Sequence, residues 1–260
     1  MDVAISTLAF ADAADEQRWL PELCTLGITA LEVAPTKRWP GWINATAEAA
    51  RAWAHELTDQ GLRVSALQAI VFGKPELRLF ADDFAPMCAH FELLGALAEA
   101  LGAPTLVFGA PAQRDPGDCA NPFALACERL RALAERCAPF GVTLAVEPVA
   151  AAKFIATPAQ ALALAQAVAH PNFGWHLDLS AWHASGEALA PLLAERMPQH
   201  LHLSQPDLRG PLDGPVDLAQ ALKSVRAAGY RGAASFEILS GAHAWPQTCA
   251  AIRQVLEASR

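Results

Sequence analysis

The chain contains no uninterrupted apolar run of about 18 residues, the length a membrane-spanning helix needs, so no bilayer partner is expected. It has no basic surplus either. Its 19 Lys and Arg stand against 27 Asp and Glu, a net charge of −8 and a pI near 5.4. That balance argues against a nucleic-acid partner held by phosphate neutralisation. No GxGxxG fingerprint follows any strand-like run, which removes the main signal of an open dinucleotide-binding sheet. None of the six cysteines (Cys24, Cys88, Cys119, Cys127, Cys137, Cys249) stands in CxxC spacing. A reduced, cytoplasmic protein with buried thiols is the plain reading. Cys127 and Cys137 lack an accompanying His or Cys at ligand spacing and are not read as zinc ligands. "MDVAISTLAF" (1–10) carries no basic residue ahead of its apolar run and reads as a first strand, not a signal peptide. There is no low-complexity stretch or linker.

What is present is 260 residues, 53% hydrophobic and 18% charged. A chain of this size can bury roughly 70–75% of its unfolded surface around one large core. Eight short runs read as strands: 3–10, 28–34, 63–70, 104–110, 142–149, 173–179, 200–204 and 233–239. Between them lie Ala/Leu-rich stretches with apolar residues at i, i+3, i+4 and i+7, such as "DEQRWLPELCTLG" and "DLAQALKSVRAAG". Gly27, Gly61, Gly102, Gly141 and Gly229 each close a helix just before a strand. Asp217, Thr157 and either Asn44 or Thr46 suit N-caps. Strand and helix in alternation require a parallel sheet with right-handed crossovers. Eight such units in this length match a single (β/α)8 TIM barrel domain over residues 1–260. The long connections 34–46, 71–83 and 109–122 all follow strands, which marks the C-terminal face as the working end.

The strand ends carry polar residues that a barrel buried on both faces tolerates only when they are paired or ligated. Glu32 stands on the second strand, Gln68 on the third, Glu147 on the fifth and Asp178 on the sixth. His202 and Ser204 stand on the seventh and Glu237 on the eighth. Three carboxylates converging with an imidazole repel one another unless a cation is present. The donor set suits one divalent metal ion, Mn²⁺, Mg²⁺ or Co²⁺ first, with Zn²⁺ also admitted. The alternative is that each acid pairs with an Arg or Lys, but few basic residues lie in the strands. His200 shares a face with His202, and His176 shares one with Asp178. Both read as neighbours of the site, not ligands.

The order Glu147, Asp178, His202, Glu237 resembles the xylose-isomerase-like barrel superfamily. Its members include ketose 3-epimerases, hydroxypyruvate isomerase, inosose-processing enzymes and the endonuclease IV branch. "GITALEVAPTKRW", "LFADDF" and "LVFGAPAQRD" are similar to segments of bacterial sugar phosphate isomerase/epimerase proteins. There are departures. Where ketose 3-epimerases place a substrate histidine after the strand-six aspartate, this chain has Ala181, with His183 nearest. Gln205 stands where relatives often hold an acid. Endonuclease IV relatives need histidines where this chain has Gln68 and Phe108/Gly109, and an Asp-x-His where "DLA" follows at Asp217. A trinuclear phosphodiesterase is therefore not expected.

The resemblance implies a metal-dependent sugar or sugar-phosphate isomerase or epimerase, with a small carbohydrate as its partner. Glu147 and Glu237 would be base and acid around an enediolate, and Asp178 and His202 would complete the ion's shell. A dehydratase on the same site and a non-catalytic barrel scaffold are the competing readings. Gln68, His183, Arg114 and Glu32 are candidate substrate contacts. Each has an ordinary alternative: Glu32 could pair with Arg38, and Arg114, Lys153 and His183 could be solvated loop residues. Phe10, Trp39, Trp42 and Phe72 could wall the site or pack as a lid hinge or subunit contact, which inclines the reading towards a homodimer.

Overall fold

Eight parallel strands close in sequence order into a barrel, β1 pairing with β8 to complete the ring, in a computed structural model that describes residues 1–241 and 244–260. The strands are β1 (Asp2–Ser6), β2 (Ala30–Val33), β3 (Arg63–Leu67), β4 (Thr105–Phe108), β5 (Thr143–Val146), β6 (Phe173–Asp178), β7 (His200–Ser204) and β8 (Ala233–Glu237). Around them run α1 (Ala13–Thr25), α3 (Ala47–Asp59), α4 (Ala85–Leu101), α5 (Pro122–Cys137), α6 (Pro158–Val168), α9 (Leu218–Ala227) and α10 (Trp245–Ala258). Three short helices are α2 (Pro35–Arg38), α7 (Leu179–Ser185) and α8 (Leu189–Glu195). This is a (β/α)8 TIM barrel.

Strands are shorter than the apolar runs that encode them. β1 stops at Ser6 and the chain turns through a 3₁₀ segment, Thr7–Ala9, with Ser6 capping Leu8 N–H. After β3 and β4 the backbone swings into the left-handed region at Ala69 (φ 52°) and Ala110 (φ 38°), which ends the ladders. Helix punctuation follows sequence closely. Gly27, Gly61, Gly102, Gly141 and Gly229 all have positive φ. Thr46, not Asn44, caps α3, Asp217 caps α9, and Thr157 forms a reciprocal capping box with Gln160 on α6.

Alternation along the strands sorts the interior. Trp175, Leu177, Leu201, Leu203 and Phe236 face the helix layer and are buried there. Their neighbours His176, Asp178, His200, His202, Ser235 and Glu237 face the barrel axis instead, in matched register. TIM-barrel interiors are ordinarily filled by bulky branched side chains. This one is polar over three adjacent strands.

Candidate metal centre and substrate cavity

Register alone brings the strand-end donors together. Asp178 pairs with His202 across β6 and β7, and Ser204 pairs with Glu237 across β7 and β8. Glu147 follows β5 directly, its N–H donating to Phe108 O. Gly109 stands beside it, and a Cβ there would collide with Glu147 Oε2. Glycine is what lets the carboxylate lie flat against the end of β4. Each of Glu147, Asp178, His202 and Glu237 offers a donor atom, and these atoms lie within 4.8 Å of one another.

His202 is the hub. Its Nδ1 lies 3.0 Å from Glu147 Oε1, 3.2 Å from Glu237 Oε2 and 3.8 Å from Asp178 Oδ2. Its other nitrogen, Nε2, lies 2.9 Å from Glu32 Oε1. Burial opposes a charge on this ring, but Glu237, Glu32 and Glu147 outweigh it and hold the imidazole well above its ordinary pKa. Asp178 shows the other side of the balance. Burial first, then the carboxylates of Glu147 and Glu237, push it up to about 7. Burial likewise raises Glu237, against the pull of His202. The cluster thus demands positive charge, and protonated His202 meets part of that demand. A divalent ion taking the place of the Nδ1 proton fits the same oxygen and nitrogen donors.

Neighbouring groups hold the donors still. Ser204 Oγ donates to Asp178 Oδ2 at 2.6 Å, and Asp178 Oδ1 accepts from Ala181 N–H at 2.6 Å as the cap of α7. Glu32 is fully buried, and the two histidines near it, His202 first and His200 second, offset burial and lower its pKa. It does not reach the solvent-facing cavity and does not pair with Arg38, which lies 3.8 Å from Glu56. His176 and His200 lie deeper, their rings stacked at 5.4 Å. None of their four ring nitrogens has a hydrogen-bond partner. An unmet buried polar group costs roughly 1–3 kcal/mol.

Above the cluster opens a cavity of about 560 Å³, lined by Glu147, Asp178, Glu237 and Gln68 among others. Gln68 is buried and its amide donates to Ser6 Oγ. Leu8, Ile70, Pro111, Val149 and Leu208 supply apolar walls, and among the described residues no Lys or Arg lines it. Four wall residues, Ala69, Ala110, Asp207 and Leu208, adopt positive φ without being glycine. Such backbone is held in place by its surroundings and gathers at binding sites. Nothing in the sequence signals it, because alanine and leucine ordinarily avoid that region.

Other candidates lie elsewhere. His183 is exposed and borders a separate cavity of about 270 Å³ beside α9. Arg114 is fully buried, with its guanidinium 5.8 Å from the Phe108 ring, and burial lowers its pKa to about 10 against the pull of Glu147. It is neither solvated nor on the cavity wall. Lys153 bridges to Asp115 at 2.8 Å on the surface. Gln205 is a staple: its side chain bonds Pro211 O, Val216 O and Val216 N–H, tying down the loop after β7. Of the four aromatics, Phe10 stacks on Trp245, Trp39 packs edge-on to Trp53, Trp42 donates to Phe72 O, and the Phe72 side chain is exposed.

A closed parallel barrel with a carboxylate–imidazole cluster at the C-terminal ends of its strands defines the class. The chain belongs to the xylose isomerase-like TIM barrel family, whose model matches residues 21–255. Comparison with curated protein sequences gives no match. Among solved structures, the fold is similar to D-psicose 3-epimerase from Clostridium cellulolyticum H10, crystallised with D-tagatose (TM-score 0.79, 16% identity, 100% of this chain and 98% of that one). It is similar to the IolI protein with a bound zinc atom (0.77, 16%, 100% and 98%). It is also similar to a probable 3-DHS dehydratase from Bacillus anthracis (0.75, 18%, 99% and 99%). At these identities the likeness is one of fold.

Proposed function

We propose that the protein is a divalent-metal-dependent isomerase or epimerase that moves a proton on the carbon beside the carbonyl of a small, unphosphorylated sugar. The observation that carries this reading is the joint placement of Glu147 and Glu237 on the cavity wall with Asp178 and His202 within ligand reach. Glu147, Asp178, His202 and Glu237 would hold the ion. When bound, it would polarise the substrate carbonyl and take up the negative charge that builds as the proton leaves.

The chain's own groups do the rest. Glu147 comes from β5 and Glu237 from β8, so the two carboxylates reach the cavity from different sides of the ring. One removes the proton and the other returns it, each contribution worth about 10²–10⁴-fold. Asp178, with hydrogen bonds to both its oxygens, stays in place while they exchange protons. Gln68, its amide engaged by Ser6, keeps its carbonyl oxygen for a substrate hydroxyl. The apolar walls shed water from the reacting carbon. Absence of a cationic group among the described wall residues disfavours a phosphate ester.

The fold similarity to a probable dehydratase supports one alternative outcome, in which the same proton abstraction is followed by loss of a hydroxyl. The test is incubation of the ion-loaded protein with a panel of ketoses and keto-polyols in deuterated buffer. Deuterium at the carbon beside the carbonyl, with a new epimer or isomer, is expected, and Glu147→Gln or Glu237→Gln should cut exchange by at least about 10²-fold. Loss of water would favour the dehydratase. No exchange on any substrate would leave the barrel as a binding protein.

A further inference from the structure

We propose that the barrel interior beneath the carboxylate cluster is a second, histidine-built metal site, in which His176, His200 and His202 take a divalent ion of the zinc class. Three buried imidazoles offer donor nitrogens within 4.8 Å of one another. Their rings are 4.1 Å apart for His176 and His202, 5.4 Å for His176 and His200, and 5.6 Å for His200 and His202. Glu32 Oε1 lies beside them, 2.9 Å from His202 Nε2 and 3.8 Å from His200 Nδ1, and supplies nearby negative charge.

The second observation is what these rings lack. His90, the buried histidine of α4, sits 2.7 Å from Ile70 O through Nε2, as a packed core histidine should. His176 and His200 are just as buried, yet no nitrogen on either ring meets a hydrogen-bond partner. Buried polar atoms left in this way call for a partner, and three imidazoles converging within ligand distance make that partner an ion. His202 also divides its two nitrogens. Nδ1 faces Glu147 and Glu237, and Nε2 faces Glu32, so with both ions bound the ring would bridge the two clusters as an imidazolate, its two ring protons released to solvent.

The donor chemistry separates the two sites. Three carboxylates and one imidazole favour harder ions, whereas three imidazoles favour zinc or cobalt. His200 also borders a cavity other than the one above the carboxylates. It measures about 290 Å³, opens at the N-terminal ends of the strands, and is lined by Asp2, Arg63 and Arg231 as well as Thr105, Gln199 and His200. This site does not depend on the proposed activity.

The test uses the whole chain, stripped with chelator and reloaded with Co(II) or Zn(II), read by elemental analysis and visible absorption. Two equivalents per chain are expected in the wild type. His200→Leu and His176→Phe should each lose one equivalent, together with the intense visible cobalt bands of a nitrogen-rich, four-coordinate site. Glu237→Gln should keep those bands and lose the other equivalent. One equivalent removed by His200→Leu but not by Glu237→Gln would still support the inner site while counting against the carboxylate centre. A single wild-type equivalent that both histidine variants retain would overturn the proposal. So would two equivalents retained in both. Circular dichroism checks that the variants fold, and if they do not, the wild-type stoichiometry and cobalt spectrum decide alone.

Discussion

His202 is a ring whose burial works against charge while acidic side chains on both its edges work for it. Glu32 is the least conspicuous of these and sets the geometry. Lying 2.9 Å from Nε2, it leaves Nδ1 as the edge that faces the other carboxylates. An outer carboxylate of this kind typically governs metal affinity by about 10–100-fold. Glu32→Gln should therefore weaken ion binding at the carboxylate centre by that order in a calorimetric titration, with the fold retained. An unchanged affinity would remove Glu32 from the arrangement. The same residues dictate how the ion-free protein responds to pH. Asp178, with burial as the main cause, has a folded value of about 7, above its ordinary 3.8, and His202 is held well above 6.5. Both contribute stability at low pH that is lost as pH rises through those folded values. His176 and His200 act in the opposite sense. Burial drops His200 to about 4, so their contribution grows with pH and is complete once the ordinary imidazole value of 6.5 is passed. Beyond neutrality only the falling contributions remain. Chelator-treated protein should thus melt at a lower temperature at about pH 9 than at about pH 7, and saturating divalent ion should flatten the slope. A melting temperature that climbs over that interval without ion would contradict this balance.

At the scale of elements, β4 and β5 are tuned to each other by one missing side chain. Gly109→Ala would drive a methyl group into Glu147 Oε2. Since Gly109 is not among the positive-φ residues, the backbone tolerates alanine and the cost falls on the carboxylate. We expect near-wild-type melting with a marked loss of proton exchange, measured on the same preparation; unimpaired exchange would mean that Glu147 finds another position. How much of this was legible in the sequence depended on whether the signal was local. The eight strands could be read because apolar runs and C′ glycines are local. Glu147, Asp178, His202 and Glu237 stood out because an ionisable group in an apolar strand requires a partner. Glu32 looked no different from them. Its full burial beside His202 is set by strands that lie 170 residues apart, and no local pattern reports it. Arg114 was equally opaque, since nothing in "PAQRDPG" tells a solvated guanidinium from one folded under a loop against Phe108. Strand ends were overread wherever the backbone left the ladder at an ordinary residue, as at Ala69 and Ala110.

For the molecule as a whole, the polar interior makes the fold answerable to its ligands. An ion that binds only the folded state at a hundred times its Kd contributes about 2.7 kcal/mol. For a chain of this length that corresponds to a rise in melting temperature of several degrees, and Glu237→Gln should remove most of it in a thermal scan. No helix among the described residues is long and apolar enough to cross a membrane. The ring itself is closed by the chain's two ends. β1 pairs with β8, and Trp245 of α10 lies on Phe10 and Trp19 while its indole N–H donates to Asp15, 230 residues away. This arrangement dictates a birth order. While the ribosome is still making β8, the nascent barrel has two unpaired strand edges and lacks Glu237, and Glu32 must wait through 170 residues of synthesis for His202. The cluster is therefore complete only once β8 has closed the ring.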